Sequence, residues 1–365
     1  MTEPSAPPAA PAQHLRGVLL PGTEPQDLWI VEGRITFEPV SEATTIATDV
    51  WILPGLADAH CHIGLDAGGA VPAEVAEEQA RTERARGVLL VRDAGSPSNT
   101  RWIDDRHDLP KIIRAGRHIA RPRRYIRNYA AEIEPEDLVA EVERQIAAGD
   151  GWIKLVGDWI DREAGDLKPL WPADVLAAAV ARAHELGGRV TVHHFGEEGL
   201  EDLLDAGVDG IEHGTGLTHD TIARVAEQDV AVVPTMINIE NFPAIAAGGA
   251  EKYPTWARHL MSLYQRREET VRACVEAGVT LYAGTDAGGM IEHGRIADEV
   301  SQLAAVGGAE FALGAASWRS REWLGVPALT EGAPADLVCY RTDPRQGVTA
   351  IAHPDRVVLR GHVLA

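Results

Sequence analysis

Along the chain, short apolar runs alternate with longer amphipathic stretches. Runs that read as strands lie near Ile52 to His62, Gly87 to Asp93, Ile112 to Ala120, Trp152 to Val156, Arg189 to His194, Gly210 to His213, Val230 to Pro234 and Val279 to Asp286. They recur at intervals of roughly 25–30 residues, the pattern of parallel strands joined by crossover helices. Apolar periodicity predicts helices in the gaps, for instance over Pro135 to Ala148 and Pro172 to Leu186. The second is stopped by Gly187-Gly188, which can take the left-handed backbone that a helix C-terminus favours. Eight such units predict an α/β chain folded as a (β/α)8 TIM-like barrel, and in such barrels chemistry sits where the strands end.

Both chain ends have a different texture. Met1 to Gln13 is rich in Pro and Ala and reads as a disordered tail. Residues 14–52 read as short strands broken by Pro21-Gly22 and Glu32-Gly33, and residues 332–365 return to the same pattern. The barrel is therefore expected over residues 53–331.

Composition narrows the partners. The 365 residues carry a formal net charge of −21 and no basic stripe. Nucleic acid and anionic membrane surfaces are thereby set aside, leaving a small-molecule substrate. No apolar run approaches the roughly 18 residues needed to span a bilayer, and no secretory leader is legible, so a soluble cytoplasmic protein is expected. Cys61, Cys274 and Cys339 are far apart and too few for a disulfide framework, which suits a reducing compartment. A homo-oligomer is compatible with the sequence, which does not fix the oligomeric state.

The residues that close the strands carry the candidate chemistry. The first strand ends Asp58-Ala59-His60-Cys61-His62, and strand alternation points both histidines to one face, where they can grip one metal. The fifth strand closes with His193 and His194, the sixth with His213, and the eighth with Asp286. Each alone reads as a core histidine or a capping aspartate; together, at corresponding barrel positions, they point to a metal centre. Lys154 lies inside the apolar fourth strand, where an ammonium is expensive to bury. It could snorkel or pair with Asp158. Yet only four of the 34 basic residues are lysine, so a lysine kept here suggests amine chemistry. A neutral amine can add carbon dioxide to become a carbamate whose two oxygens bridge two cations, which a guanidinium cannot readily do.

These residues resemble the amidohydrolase superfamily. Leu53-Pro-Gly-Leu-Ala-Asp-Ala-His-Cys-His is similar to its first-strand signature, and the likeness continues through Lys154, Val192-His193, Ile211-Glu-His-Gly and Gly284-Thr-Asp286-Ala-Gly. Val91-Arg-Asp-Ala-Gly, Gly207-Val-Asp-Gly-Ile-Glu-His-Gly-Thr and Gly332-Ala-Pro-Ala-Asp-Leu-Val resemble the imidazolonepropionase-like and Xaa-Pro dipeptidase-like branch. The resemblance implies that the two strand-rich ends join into a small β-sandwich beside the barrel. It makes His60, His62 and Asp286 ligands of one metal and His193 and His213 ligands of a second, with carboxylated Lys154 bridging both. Two divalent ions are implied, most simply zinc, while manganese, iron or cobalt suits the same nitrogen and oxygen donors. A bridging hydroxide would attack the carbonyl, with Asp286 as the catalytic residue that moves a proton to the leaving nitrogen. Asp58 is placed behind the ligands as support, or is a strand-end hydrogen-bond acceptor. His293, in a His-Gly pair after Asp286, is placed near substrate, and Cys61 and Asp93 are read as inert and structural.

The implied reaction is hydrolysis of an amide, peptide or cyclic amide C–N bond. A mononuclear deaminase is the alternative within the superfamily. It commonly has a glutamate three residues after the fifth-strand histidine, where this chain has Gly196, and Glu197 reads as the start of the next helix. A scaffold without catalysis would have lost ligands, and none is missing here. Carbamate, urea and lactone hydrolysis remain open on the same site. Arg121-Pro-Arg-Arg-Tyr125-Ile-Arg-Asn-Tyr129 follows the third strand and suggests Arg124, Tyr125 and Arg127 as binders of a substrate carboxylate, or else a surface loop. Trp152, Trp159 and Phe195 read as core or as the lining of an apolar pocket.

Overall fold

A computed structural model of the chain describes residues 11–364. Residues 1–10, most of the expected tail, lie outside the described residues, and Gln13 already pairs with Ile30. The strands Gln13–Leu19, Pro25–Val31, Arg34–Thr36, Thr44–Pro54, Leu337–Tyr340, Arg356–Leu359 and His362–Val363 form one seven-stranded sheet. Its inward residues, among them Leu15, Leu28, Ile52 and Val358, bury one another in a separate apolar cluster. The two chain ends meet as the resemblance implies, and the described residues join them in one continuous hydrogen-bonded sheet. The reason is the long strand Thr44–Pro54. It pairs in parallel with Gln13–Leu19 and antiparallel with Leu337–Tyr340, so both ends hydrogen-bond to the same strand.

The middle of the chain has a TIM-barrel-like α/β order. Leu56–Cys61, Val88–Asp93 and Lys111–Arg114 pair in parallel, as do Ile119–Ala120, Trp152–Val156, Arg189–His194, Gly210–His213 and Ala231–Val233. Every residue of Leu56–Cys61, Val88–Asp93 and Trp152–Val156 is buried, because parallel strands have helices on one face and core on the other. The third expected run is interrupted into two short strands around Gly116, whose φ of 71° breaks the extended backbone. The eighth expected run is not a regular strand. It touches its neighbours through single bridges, Leu281 to Val232 and Ala287 to Cys61, and Asp286 has a left-handed backbone (φ 58°). Asp286 N nevertheless donates to His60 O at 2.7 Å and Ala59 N to Ala283 O at 2.8 Å, which sets this segment against the first strand.

The helices Leu138–Ala148 and Ala173–Glu185 match their expected spans, and Gly187 (φ 74°) and Gly188 close the second, Gly188 N donating to Ala183 O at 2.8 Å. The next helix starts at Leu200, not Glu197, because Gly199 with φ 93° cannot belong to it. Among the described residues no helix is long and apolar enough to cross a membrane.

Gly284 is where the irregular segment presses on the first strand: a Cβ there would stand 2.7 Å from His60 N and 2.5 Å from Val233 Cγ1. Gly284→Ala should therefore destabilise the fold by about 1–3 kcal/mol through overpacking, read as a lower denaturant midpoint. An unchanged midpoint would mean the segment packs elsewhere.

Candidate metal centre

The strand ends bring all six expected ligands together. His60 Nε2 and His62 Nε2 are 3.2 Å apart, and Asp286 Oδ1 lies 2.9 Å from His62 Nε2 and 3.2 Å from His60 Nε2. Lys154 Nζ is 3.5 Å from His60 Nε2. The His213 ring is centred 5.2 Å from that of His60 and 4.7 Å from that of His193. His60, His62 and Asp286 alone offer three ligating atoms within 4.8 Å of one another.

Surrounding groups fix which atom each ring presents. His60 Nδ1 faces Glu212 Oε2 at 2.7 Å. Burial opposes the Glu212 charge, but Arg92, Lys154 and His60 hold its carboxyl well below the usual range, so His60 Nδ1 carries the proton. Arg92 and Thr191 both donate to the other Glu212 oxygen. His62 Nδ1 donates to Gly95 O at 2.7 Å, in a turn shaped by Gly95 N donating to Asp93 Oδ1 at 2.9 Å. His213 Nδ1 lies 2.7 Å from Thr235 Oγ1. The Nε2 lone pairs of His60 and His62 therefore face each other, an arrangement that is repulsive unless a cation or proton stands between them. Both ring nitrogens of buried His193 lack a protein hydrogen-bond partner, the Asp158 carboxylate standing 3.9 Å from Nε2. Such orphaned buried donors are costly, and nitrogen and carboxylate atoms converging in this way fit divalent metal.

The electrostatics agree. Burial holds the His62 imidazole below its ordinary value and those of His193 and His213 well below, so these rings are neutral and able to ligate. Burial and Lys154 also oppose a proton on His60, but Asp286 and Glu212 outweigh them and raise its value. A proton is thus attracted to the position where the donor set invites a metal. Burial resists ionisation of Asp286, yet His60 and His62 hold its carboxyl well down. Burial pushes the Lys154 amine down to about 8, so far more of it is neutral near neutral pH than of an exposed lysine.

Asp58 supports the site through backbone. Its carboxylate accepts from His60 N at 3.1 Å, Thr285 N at 3.0 Å and Thr285 Oγ1 at 2.6 Å, tying the strand of His60 to the segment of Asp286. Asn238 Nδ2 donates to Asp286 Oδ2 at 2.7 Å. Glu212, Arg92, Thr235 and Asn238 were not singled out from sequence. For Glu212 and Arg92 a signal was present, since each interrupts an apolar strand just as Lys154 does. Buried His118, its ring 5.0 Å from that of His62, carries no comparable pattern.

Three expected substrate contacts are elsewhere. Arg124 donates to Asp161 Oδ2 at 2.9 Å, Trp159 O at 3.2 Å and Lys168 O at 3.0 Å, clamping its loop to the hairpin Asp158–Asp161/Asp166–Pro169. Arg127 is exposed, and neither arginine lines the cavity over the metal centre. His293 Nδ1 lies 2.9 Å from Glu83 Oε1, beside Cys61 and outside that cavity; Glu83 also accepts from Gly294 N and so anchors the loop to the helix Ala73–Ala85. Tyr125 does line the cavity, which has a volume of about 340 Å³ and opens onto His62, His193 and Asp286. Trp159 and Phe195 line it too, whereas Trp152 packs edge to face with Trp323 and is not among its lining residues.

Residues 51–364 match the amidohydrolase family. A protein of Mycobacterium tuberculosis (strain H37Rv), itself uncharacterized, is 58% identical over 350 residues, covering 95% of this chain and 94% of that protein. Among solved structures, an Xaa-Pro dipeptidase with methionine bound in its active site is similar, with a TM-score of 0.82 and 22% identity across 97% of this chain and 99% of that one. The ochratoxinase of A. niger is similar with a TM-score of 0.78 and 19% identity, over 97% of this chain and 95% of that one.

Glu212→Gln should weaken metal binding about 10–100-fold in a chelator competition, because the His60 ring loses its charged partner. It should also destabilise the fold by about 3–5 kcal/mol, because the Arg92 charge is left unpaired. Adding Arg92→Met should restore stability but not metal affinity. Recovery of both would show that Glu212 acts only on the fold.

Proposed function

The chain belongs to the amidohydrolase family, and from that membership we propose that it is a binuclear metal-dependent hydrolase that cleaves a C–N bond. The observation that carries this reading is the convergence of buried ligand-type atoms, the His60 and His62 Nε2 atoms and Asp286 Oδ1, beside a His193 ring whose nitrogens have no protein hydrogen-bond partner. His60, His62 and Asp286 would hold one ion, His193 and His213 the other, and Lys154, carboxylated, would join both. Zinc suits these donors, as do manganese, iron and cobalt. When bound, the ions supply charge that polarises the substrate carbonyl and brings the pKa of water to about 7. On this reading the eight βα units close into a barrel through residues 279–287, which lie between Ala231–Val233 and Leu56–Cys61.

The chain's own groups do the rest. Asn238 restrains one Asp286 oxygen while the other faces the histidines, so the carboxylate is aimed. Held ionised, Asp286 takes a proton from the attacking water and returns it to the departing nitrogen. Asp286 meets the cavity on one side and the ligands on the other, which that transfer requires. Lys154 is buried, which lowers its amine to about 8 and so makes the neutral form that reacts with carbon dioxide more accessible.

The deaminase alternative loses support. Gly196, three residues after His193, donates its N–H to Asp158 Oδ2 at 2.6 Å, and the Glu197 carboxylate is engaged by His259 and Arg266. Position 196 thus supplies no carboxylate of its own, and the nearby Asp158 carboxylate is engaged by the backbone N–H groups of Phe195 and Gly196.

Elemental analysis of protein grown with zinc and bicarbonate should find close to two metals per chain in the wild type and one or none in Lys154→Ala. Close to one metal, unchanged by the substitution, would make the lysine structural and return the deaminase reading.

A further inference from the structure

We propose that this site selects uncharged substrates bearing a bulky apolar group, best an aryl group, on an acyl–nitrogen bond, and discriminates against free acids. The proposal rests on the hydrolase reading and specifies its substrate class. Its basis is the cavity wall. Tyr125, Trp159, Phe195, Phe242, Trp256 and Leu260 surround the space above the ligands. Their rings already pack on one another edge to face: Tyr125 and Trp159 at 4.9 Å and 67°, Phe195 and Phe242 at 4.9 Å and 85°. A further ring placed among them meets the same complementary edges and faces.

Few of the lining side chains carry strongly polar groups. His62, His193, Asn238 and Asp286 contribute them, apart from tyrosine hydroxyls. Among the described residues no lysine or arginine lines the cavity. Arg124, the nearest candidate by sequence, already has three protein acceptors. A carboxylate held against these walls, away from the ligand residues, would be desolvated with no lysine or arginine to pair it, which is among the costliest arrangements a site can impose. The net charge of −21 also works against the approach of an anion. At the rim, Met290 is 58% exposed and lines the opening, an adaptable apolar side chain where an acid-binding site would present a basic one. The volume of about 340 Å³ accommodates a single-ring amide, carbamate or urea. The reaction itself stays a hydrolysis: the acyl C–N bond breaks, water supplies hydroxyl to the acyl carbon, and its remaining proton goes to nitrogen.

The test uses the metal-loaded full chain and two probes of equal carbon chain that differ only in the end group, methyl in hexanoyl 4-nitroanilide and carboxylate in the mono-4-nitroanilide of adipic acid. Release of nitroaniline gives turnover, and quenching of tryptophan fluorescence, to which Trp159 and Trp256 contribute from the cavity wall, gives binding. The neutral probe should exceed the acid by about tenfold or more in kcat/KM and in affinity. Met290→Arg, at an exposed position that should tolerate it, should narrow that preference about tenfold. If both probes are cleaved equally well, or the acid better, the selectivity proposal is wrong while the hydrolase reading stands. If the neutral probe binds preferentially but neither is cleaved by metal-loaded protein, the selectivity stands and the hydrolase reading fails.

Discussion

One buried pair of opposite charges organises the interior. Arg92, on the second parallel strand, and Glu212, on the sixth, are both fully buried and bonded to each other. Arg92 Nε also donates to Ala59 O at 2.6 Å, and its guanidinium lies 4.8 Å from the Trp152 ring and 5.0 Å from the Trp323 ring. Thr191 of the fifth strand donates to the same carboxylate, and His60 of the first is aimed by its remaining oxygen. A hydrophobic pair of the same shape would often be as stable or more so. What an ion pair adds is orientation: strands one, two, five and six are all held by one carboxylate, and the ring it aims is a ligand of the proposed metal centre.

The same logic shows how much could be read from sequence. Strand ends were legible because burial on both faces forces continuous apolar runs, and ligand-type residues closing several of those runs stand out against them. The eighth element was legible in position but not in form. Its sequence reads as a strand, whereas Asp286 adopts a left-handed backbone and Gly284 meets His60 at close range. Nothing local in the sequence requires that bend; contact with the first strand does. The terminal sheet is a similar case, since strand patterns reveal strands but not that Thr44–Pro54 joins both chain ends.

The arginine-rich loop shows where composition misleads. Four cations in nine residues suggested an acid-binding surface, but a guanidinium has five donors and takes whatever acceptors are nearest. For Arg124 those are Asp161 and two carbonyls of the neighbouring hairpin. The loop thereby becomes a wall that contributes Tyr125 to the cavity and keeps its charge outside. His293 is the converse: its place in sequence suggested substrate, and its partner Glu83, on a helix outside the strands, was invisible from sequence.

The central claim is a two-ion centre joined by a modified Lys154. Crystals of zinc-loaded protein, measured on both sides of the zinc absorption edge, test it most directly. The account predicts two anomalous peaks about 3.5–4 Å apart, with planar density extending from Lys154 Nζ between them. A single peak among His60, His62 and Asp286, beside a bare lysine amine, would contradict it.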